Sequence, residues 1–188
     1  MLFQTLDEKQ DCVAVFLNGI LVKNKIPENI TKTWSYSSFL RNEEVEYASL
    51  YCIGKTLDDV CPDDKRSEWE RVSHKLKAYY RSFVEAKVSL DDNCFFDLVP
   101  EQFLLEFCDI KNEITSHVLE NHTKPDNYDF LLGLTKLLTD IRYQKLNLNP
   151  DFLKNRLAEY KVRQFYKKLN KVQPYARYTI EGTKTGRL

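Results

Sequence analysis

Apolar positions along the chain change their period from two to more than three. Cys12-Val13-Ala14-Val15-Phe16-Leu17 is a short strand-type run, Asn18-Gly19 follows it, and Ile20-Leu21-Val22 resumes. Asn-Gly between two apolar runs predicts a two-residue hairpin, because both central residues of its turn need positive φ. Pro27 ends that unit. A second β-type run is Thr31-Lys32-Thr33-Trp34-Ser35-Tyr36. A third, Val45-Glu46-Tyr47-Ala48-Ser49-Leu50-Tyr51-Cys52-Ile53, begins with alternation and ends almost wholly apolar, which predicts an inner strand stopped at Gly54.

The middle of the chain reads as helical. After Pro62-Asp63-Asp64, apolar residues recur at Trp69, Val72, Leu76, Tyr79 and Phe83, and the two acids suit the positive end of a helix dipole. Val88-Ser89-Leu90 fits a short strand. Pro100 stands where a first helical residue belongs, ahead of Phe103, Leu104, Phe107, Ile110, Ile114 and Val118. A loop at Lys124-Pro125-Asp126-Asn127 leads to a helix lined by Phe130, Leu131, Leu134, Leu137, Leu138 and Ile141. Its Gly133 weakens it by about 1 kcal/mol relative to alanine. Asn149 as cap and Pro150 at the first position predict a further helix over 149–170, with Leu153, Leu157, Tyr160 and Leu169 as its apolar stripe. Pro174 stops it, Tyr175 to Ile180 reads as a strand, and Gly182 turns the chain. Strands first, then helices, then one strand predict an α+β fold with a boundary between Ile141 and Pro150.

Composition removes several classes. With 188 residues, 43% of them hydrophobic and 13% aromatic, the chain can build a core, so disorder throughout is excluded. No apolar run reaches the roughly 18 residues of a membrane span, and the N-terminus lacks the pattern of a secretory signal. The cysteines, Cys12, Cys52, Cys61, Cys94 and Cys108, form no Cys-x-x-Cys pair. They fit reduced thiols in a cytoplasmic protein. His74, His117 and His122 form no His-x-x-x-His pair, so neither a metal site nor a Cys/His nucleophile has local support. The acid pairs Asp58-Asp59, Asp63-Asp64 and Asp91-Asp92 fit helix starts and turns.

The formal charge is zero, 28 Lys+Arg against 28 Asp+Glu, and that total alone points to no nucleic-acid or membrane partner. Its distribution does. Residues 142–188 hold twelve Lys/Arg (Arg142, Lys145, Lys154, Arg156, Lys161, Arg163, Lys167, Lys168, Lys171, Arg177, Lys184, Arg187) and three acids (Asp151, Glu159, Glu181), a net charge of +9. Residues 1–141 therefore carry −9. Such asymmetry points to nucleic-acid binding by the basic part. Tyr160, Phe165, Tyr166, Tyr175 and Tyr178 lie among these cations, where rings can stack on bases while Lys and Arg meet phosphates. The same run also suits a solvated basic face whose aromatics point into a core.

The chain ends Thr183-Lys184-Thr185-Gly186-Arg187-Leu188. Here it resembles the family A DNA polymerases, the group that includes bacterial DNA polymerase I and related phage enzymes. Their polymerase domain carries a Thr-x-Thr-Gly-Arg-Leu-type motif after the thumb helices and before the first palm aspartate. The basic helix over 149–170 and then Tyr178 precede the motif in the same order. The stretch from Cys94-Phe95-Phe96-Asp97-Leu98-Val99-Pro100 to Lys145-Leu146-Asn147 is similar to the part of some phage polymerases that joins an exonuclease-like domain to the thumb. The resemblance implies a degenerate exonuclease-like scaffold over 1–145 and the start of a polymerase domain over 146–188, with a thumb-like helical segment and one strand or hairpin. It implies a DNA primer–template as partner and gives Arg187 a place in the minor groove near the primer terminus, a role suited to a rigid fork of donors. Thr183, Lys184, Thr185 and Gly186 accompany it. Lys154, Arg156, Lys161, Arg163, Lys167, Lys168 and Lys171 become phosphate candidates.

Two departures qualify the match. The exonuclease of this family begins with Asp-x-Glu, and no Asp-x-Glu occurs in the chain. The palm aspartates, with the magnesium ions they would hold in the intact polymerase, would lie beyond Leu188, so the expectation is a truncated polymerase that is inactive by itself and holds no cofactor. Two other classes fit the same charge pattern: a non-enzymatic helical adaptor and a standalone nucleic-acid-binding protein.

Overall fold

The computed structural model describes residues 1–8, 11–41, 43–90, 92–142 and 149–169. Three antiparallel strands open the chain in the sheet order β1 (Phe3–Glu8), β2 (Asp11–Leu17), β3 (Ile20–Lys23). Asn18 and Gly19 take φ of 51° and 79° and bring Leu17 opposite Ile20, the two-residue hairpin that Asn-Gly predicts. The strand β1 has no counterpart in the apolar pattern. Phe3, Gln4, Thr5 and Leu6 are all buried in succession, because the sheet is covered on both faces. Leu6, Ala14 and Phe16 face the helices, while Phe3 and Val15 pack with Ile30, Leu40, Val45 and Tyr47. A strand enclosed on both sides loses its alternation.

The second and third β-type runs shrink to a short parallel pair, β4 (Lys32–Thr33) and β5 (Glu46–Tyr47). Leu2 bridges Lys32 in parallel. The expected inner strand ends at Tyr47, whose N–H donates to the Tyr128 hydroxyl at 2.8 Å and not to another strand. Ala48–Cys52 then winds into a 3-10 turn. Its buried residues Ala48 and Cys52 lie four apart and pack with Trp34 and Val118, a helical spacing and not a strand spacing. Ile53 and Gly54, at φ 47° and 84°, end the turn.

The short α1 (Leu57–Val60) starts on a capping box, with the Thr56 N–H donating to Asp59 Oδ2 at 2.8 Å. The long α2 (Asp63–Glu85) buries Trp69 and Val72. After it, Lys87 takes φ 58°, its N–H meets the Val84 carbonyl at 3.0 Å, and the Val88 N–H meets the Phe83 carbonyl at 2.9 Å. These two bonds form a Schellman cap. They occupy Val88, which is why Val88-Ser89-Leu90 is not a strand. A lysine pays the left-handed penalty that glycine avoids, so Lys87→Gly should raise stability by about 0.5–1 kcal/mol. Urea unfolding of both chains measures this, and a lower midpoint for the variant would contradict it.

The helix α3 (Phe95–Leu98) precedes α4 (Glu101–Asn121). Pro100 occupies the cap of α4, one residue before the expected position. As the period predicts, α4 buries Phe103, Leu104, Ile110, Ile114 and Val118. It packs on α2 through Trp69 against Phe107 (centroids 5.9 Å apart) and Tyr79 against Phe103 (5.2 Å). Lys65–Glu113 (2.7 Å) and Arg71–Glu106 pair along the rim. On α5 (Tyr128–Arg142) Tyr128 is buried, yet Phe130, Leu134 and Leu137 of the expected apolar stripe are exposed.

The chain divides into two compact units, Met1–Leu134 and Thr135–Leu188. In the second, Asn149 caps through its side chain to the Asp151 N–H (3.0 Å) and Pro150 follows, as predicted. The single helix expected over 149–170 is two pieces, a 3-10 stretch (Pro150–Arg156) and α6 (Tyr160–Leu169). Side-chain pairs three residues apart fit the tighter winding, in which i and i+3 eclipse. Asp151–Lys154 closes at 2.7 Å, and Arg156–Glu159 spans the break. The expected strand over 175–180 lies outside the described residues.

Candidate nucleic-acid interface

Six of the predicted phosphate contacts fall on described backbone, and all six are exposed: Lys154, Arg156, Lys161, Arg163, Lys167 and Lys168. Lys171, Thr183, Lys184, Thr185, Gly186 and Arg187 lie outside the described residues.

The six divide into two groups. Lys154 Nζ is 2.7 Å from Asp151 Oδ1, and the hydrogen bond to this carboxylate, with its charge, raises the lysine above its usual range. Arg156 grips Glu159 with both edges of a fork, Nε to Oε1 at 2.9 Å and an Nη to Oε2 at 3.1 Å. Each of these two pairs has no net charge. Lys161, Arg163, Lys167 and Lys168 form no ion pair among the described residues.

Those four belong to α6, and the helix gathers them. At about 100° per residue, Arg163, Lys167, Tyr160, Gln164, Lys168 and Lys161 follow one another around a little under half of its circumference. Val162, Phe165, Tyr166 and Leu169 share the other half. Gln164 donates to the Tyr160 hydroxyl at 2.5 Å, one turn apart on the cationic side. Of the aromatics interleaved with the cations, Tyr160 is 66% exposed and Phe165 is 54% exposed. Neither ring is enclosed in a core, the alternative that the sequence left open.

The described acid pairs stand at helix starts. Asp59 belongs to the α1 capping box, Asp58 accepts the Trp69 indole N–H, and Asp63 and Asp64 stand in the first turn of α2. Burial pushes the Cys12 and Cys108 thiols up to about 12, so both are protonated and unreactive near neutrality. Among the described residues no group of three or more His, Cys, Asp or Glu could hold a metal ion, and no helix is long and apolar enough to cross a membrane.

No family model, curated protein or solved structure matches the chain.

Proposed function

We propose that this chain is part of a family A DNA polymerase and that its second unit contributes contacts to the backbone of a primer–template. The observation that carries the reading is the face of α6 on which Lys161, Arg163, Lys167 and Lys168 stand together without ion pairs among the described residues. Phosphates attract such a face whatever the sequence of the DNA, as an enzyme that copies any template requires. The terminal Thr-x-Thr-Gly-Arg-Leu motif supports the family, and by that resemblance Arg187 reads the minor groove at the primer terminus. In an intact polymerase of that family, magnesium would supply the Lewis-acid chemistry of phosphoryl transfer. By the same resemblance, the role of this chain's own residues is to bind and orient the DNA.

The test is anisotropy of a fluorescein-labelled primer–template titrated with the chain at low salt. Replacing Lys161, Arg163, Lys167 and Lys168 together by Gln should weaken binding by at least about tenfold. Replacing both members of each pair (Asp151→Asn with Lys154→Gln, Glu159→Gln with Arg156→Gln) should change it by less than about threefold, since each pair is already neutral. A chain that does not bind the duplex, or a fourfold variant that binds it equally well, rejects the proposal.

A further inference from the structure

We infer that the first unit carries a nucleic-acid contact of its own, a stacking site for an unpaired nucleotide on the outer face of α2 beside α3. The acidic average of residues 1–141 hides a basic stretch. Residues 71–87 hold Arg71, Lys75, Lys77, Arg81 and Lys87 against one acid, Glu85. Arg71 and Lys75 turn to Glu106. Lys77 and Arg81 are exposed and have no ion pair among the described residues, Glu85 included.

Those two cations frame an aromatic hollow. Leu76, Lys77, Tyr80 and Arg81 occupy adjoining positions at i, i+1, i+4 and i+5 on α2, and Phe95 of α3 completes a cavity of about 300 Å³. That is the lower end of small-ligand sites, room for one base-sized group. Tyr80 is 54% exposed, and its ring centroid lies 6.1 Å from that of Phe95. Phe95 is held in place. Phe83 and Phe96 meet it edge-on at 5.9 and 5.4 Å, and its N–H donates to Glu8 at 2.6 Å. A fixed apolar floor with an exposed ring and a cationic rim that forms no ion pair among the described residues selects a flat, anionic ligand. An unpaired nucleotide has that shape, with its base on Tyr80 and its phosphates at Lys77 and Arg81. A duplex keeps its bases stacked inside and cannot present one here. The neighbouring hollow at Tyr79 and Phe103 lacks this chemistry, because Glu106 lines it and takes up the charge of Lys75.

The site does not depend on α6, and the test separates the two. In the full chain with Lys161, Arg163, Lys167 and Lys168 replaced by Gln, binding of a labelled oligothymidylate is followed by anisotropy. Tyr80→Ala should weaken it roughly tenfold, the loss of one base stack, whereas Tyr80→Phe should keep it within about twofold. Lys77→Gln with Arg81→Gln should lower the salt slope by roughly 1.4, the value for two phosphates of a single strand. No binding by this background, an unchanged affinity for Tyr80→Ala, or an equal loss for Tyr80→Phe overturns the site. Equal competition by a polyglutamate peptide overturns the choice of a nucleotide. Each of these outcomes is separate from the duplex-binding result at α6.

Discussion

Raising the salt from 50 to 200 mM lowers the affinity of the chain for a primer–template by about a hundredfold. The figure follows from counting, in the second unit, only the cations that form no ion pair among the described residues. Each phosphate neutralised releases condensed counterions and adds about 0.9 to the slope of log affinity against log salt. Lys161, Arg163, Lys167 and Lys168 give a slope near 3.6, and a fourfold rise in salt then costs roughly 150-fold. Counting Lys154 and Arg156 as well would give a slope near 5.4 and a loss of more than about a thousandfold. The structure argues for the smaller value, because a phosphate approaching Lys154 also meets Asp151, and one approaching Arg156 also meets Glu159. These exposed pairs are individually weak, but it is their zero net charge, not their strength, that removes them from the count. Anisotropy titrations at four or five salt concentrations give the slope directly. A slope near zero rejects DNA-backbone binding, and a slope above five shows phosphate contacts by cations beyond these four.

Local signals in the sequence were legible wherever one residue pair determines the backbone. Asn18-Gly19 specifies its turn whatever surrounds it, and Asn149-Pro150 specifies a helix start. The faces of α2 and α4 were equally legible, since each packs one side against a shared core and keeps the period of a helix. Legibility failed where tertiary contacts decide. Burial on both faces erases the alternation of β1. The run from Val45 to Ile53 is apolar enough for a strand or a helical turn, and the Tyr128 hydroxyl, 81 residues away in sequence, settles the matter at Tyr47. The basic segment is visible as a sum, whereas its division into paired and unpaired cations depends on the local spacing of acids and bases. The spacing of three in Asp151–Lys154 and Arg156–Glu159 was the available signal. The cations of α2 were hidden by averaging, because Lys77 and Arg81 lie in a region whose total is −9.

Between pH 9 and 12 the first unit should lose stability steeply, and Cys108→Ala should blunt that loss. Cys108 is 0% exposed, on the apolar side of α4 in the core that also holds Leu6, Phe16 and Val72. Burial lifts its thiol from 9.0 to about 12. The unfolded chain therefore loses this proton first as pH rises. A group with a raised folded value contributes its full stability below the unfolded value and loses it on the way to the folded one. The contribution lost is roughly 3 kcal/mol by pH 11, a large part of a typical total of about 5–15 kcal/mol. Cys12, lifted to about 12 mainly by burial, acts in the same direction, as do Tyr47, Tyr51 and Tyr128, each raised first by burial. Lys111 opposes them, because the protein around it lowers its value and the unfolded chain then holds the extra proton. The single variant isolates one thiol from this mixture. Urea unfolding followed by the fluorescence of the two buried tryptophans, Trp34 and Trp69, gives stability from pH 7 to 11 for both chains. At pH 7 Cys108→Ala should be less stable by about 1 kcal/mol, the usual result of a small core truncation. By pH 11 it should be the more stable chain, since alanine has no proton to lose. Two curves that stay parallel across the range would show that the thiol at position 108 is not held protonated by its burial.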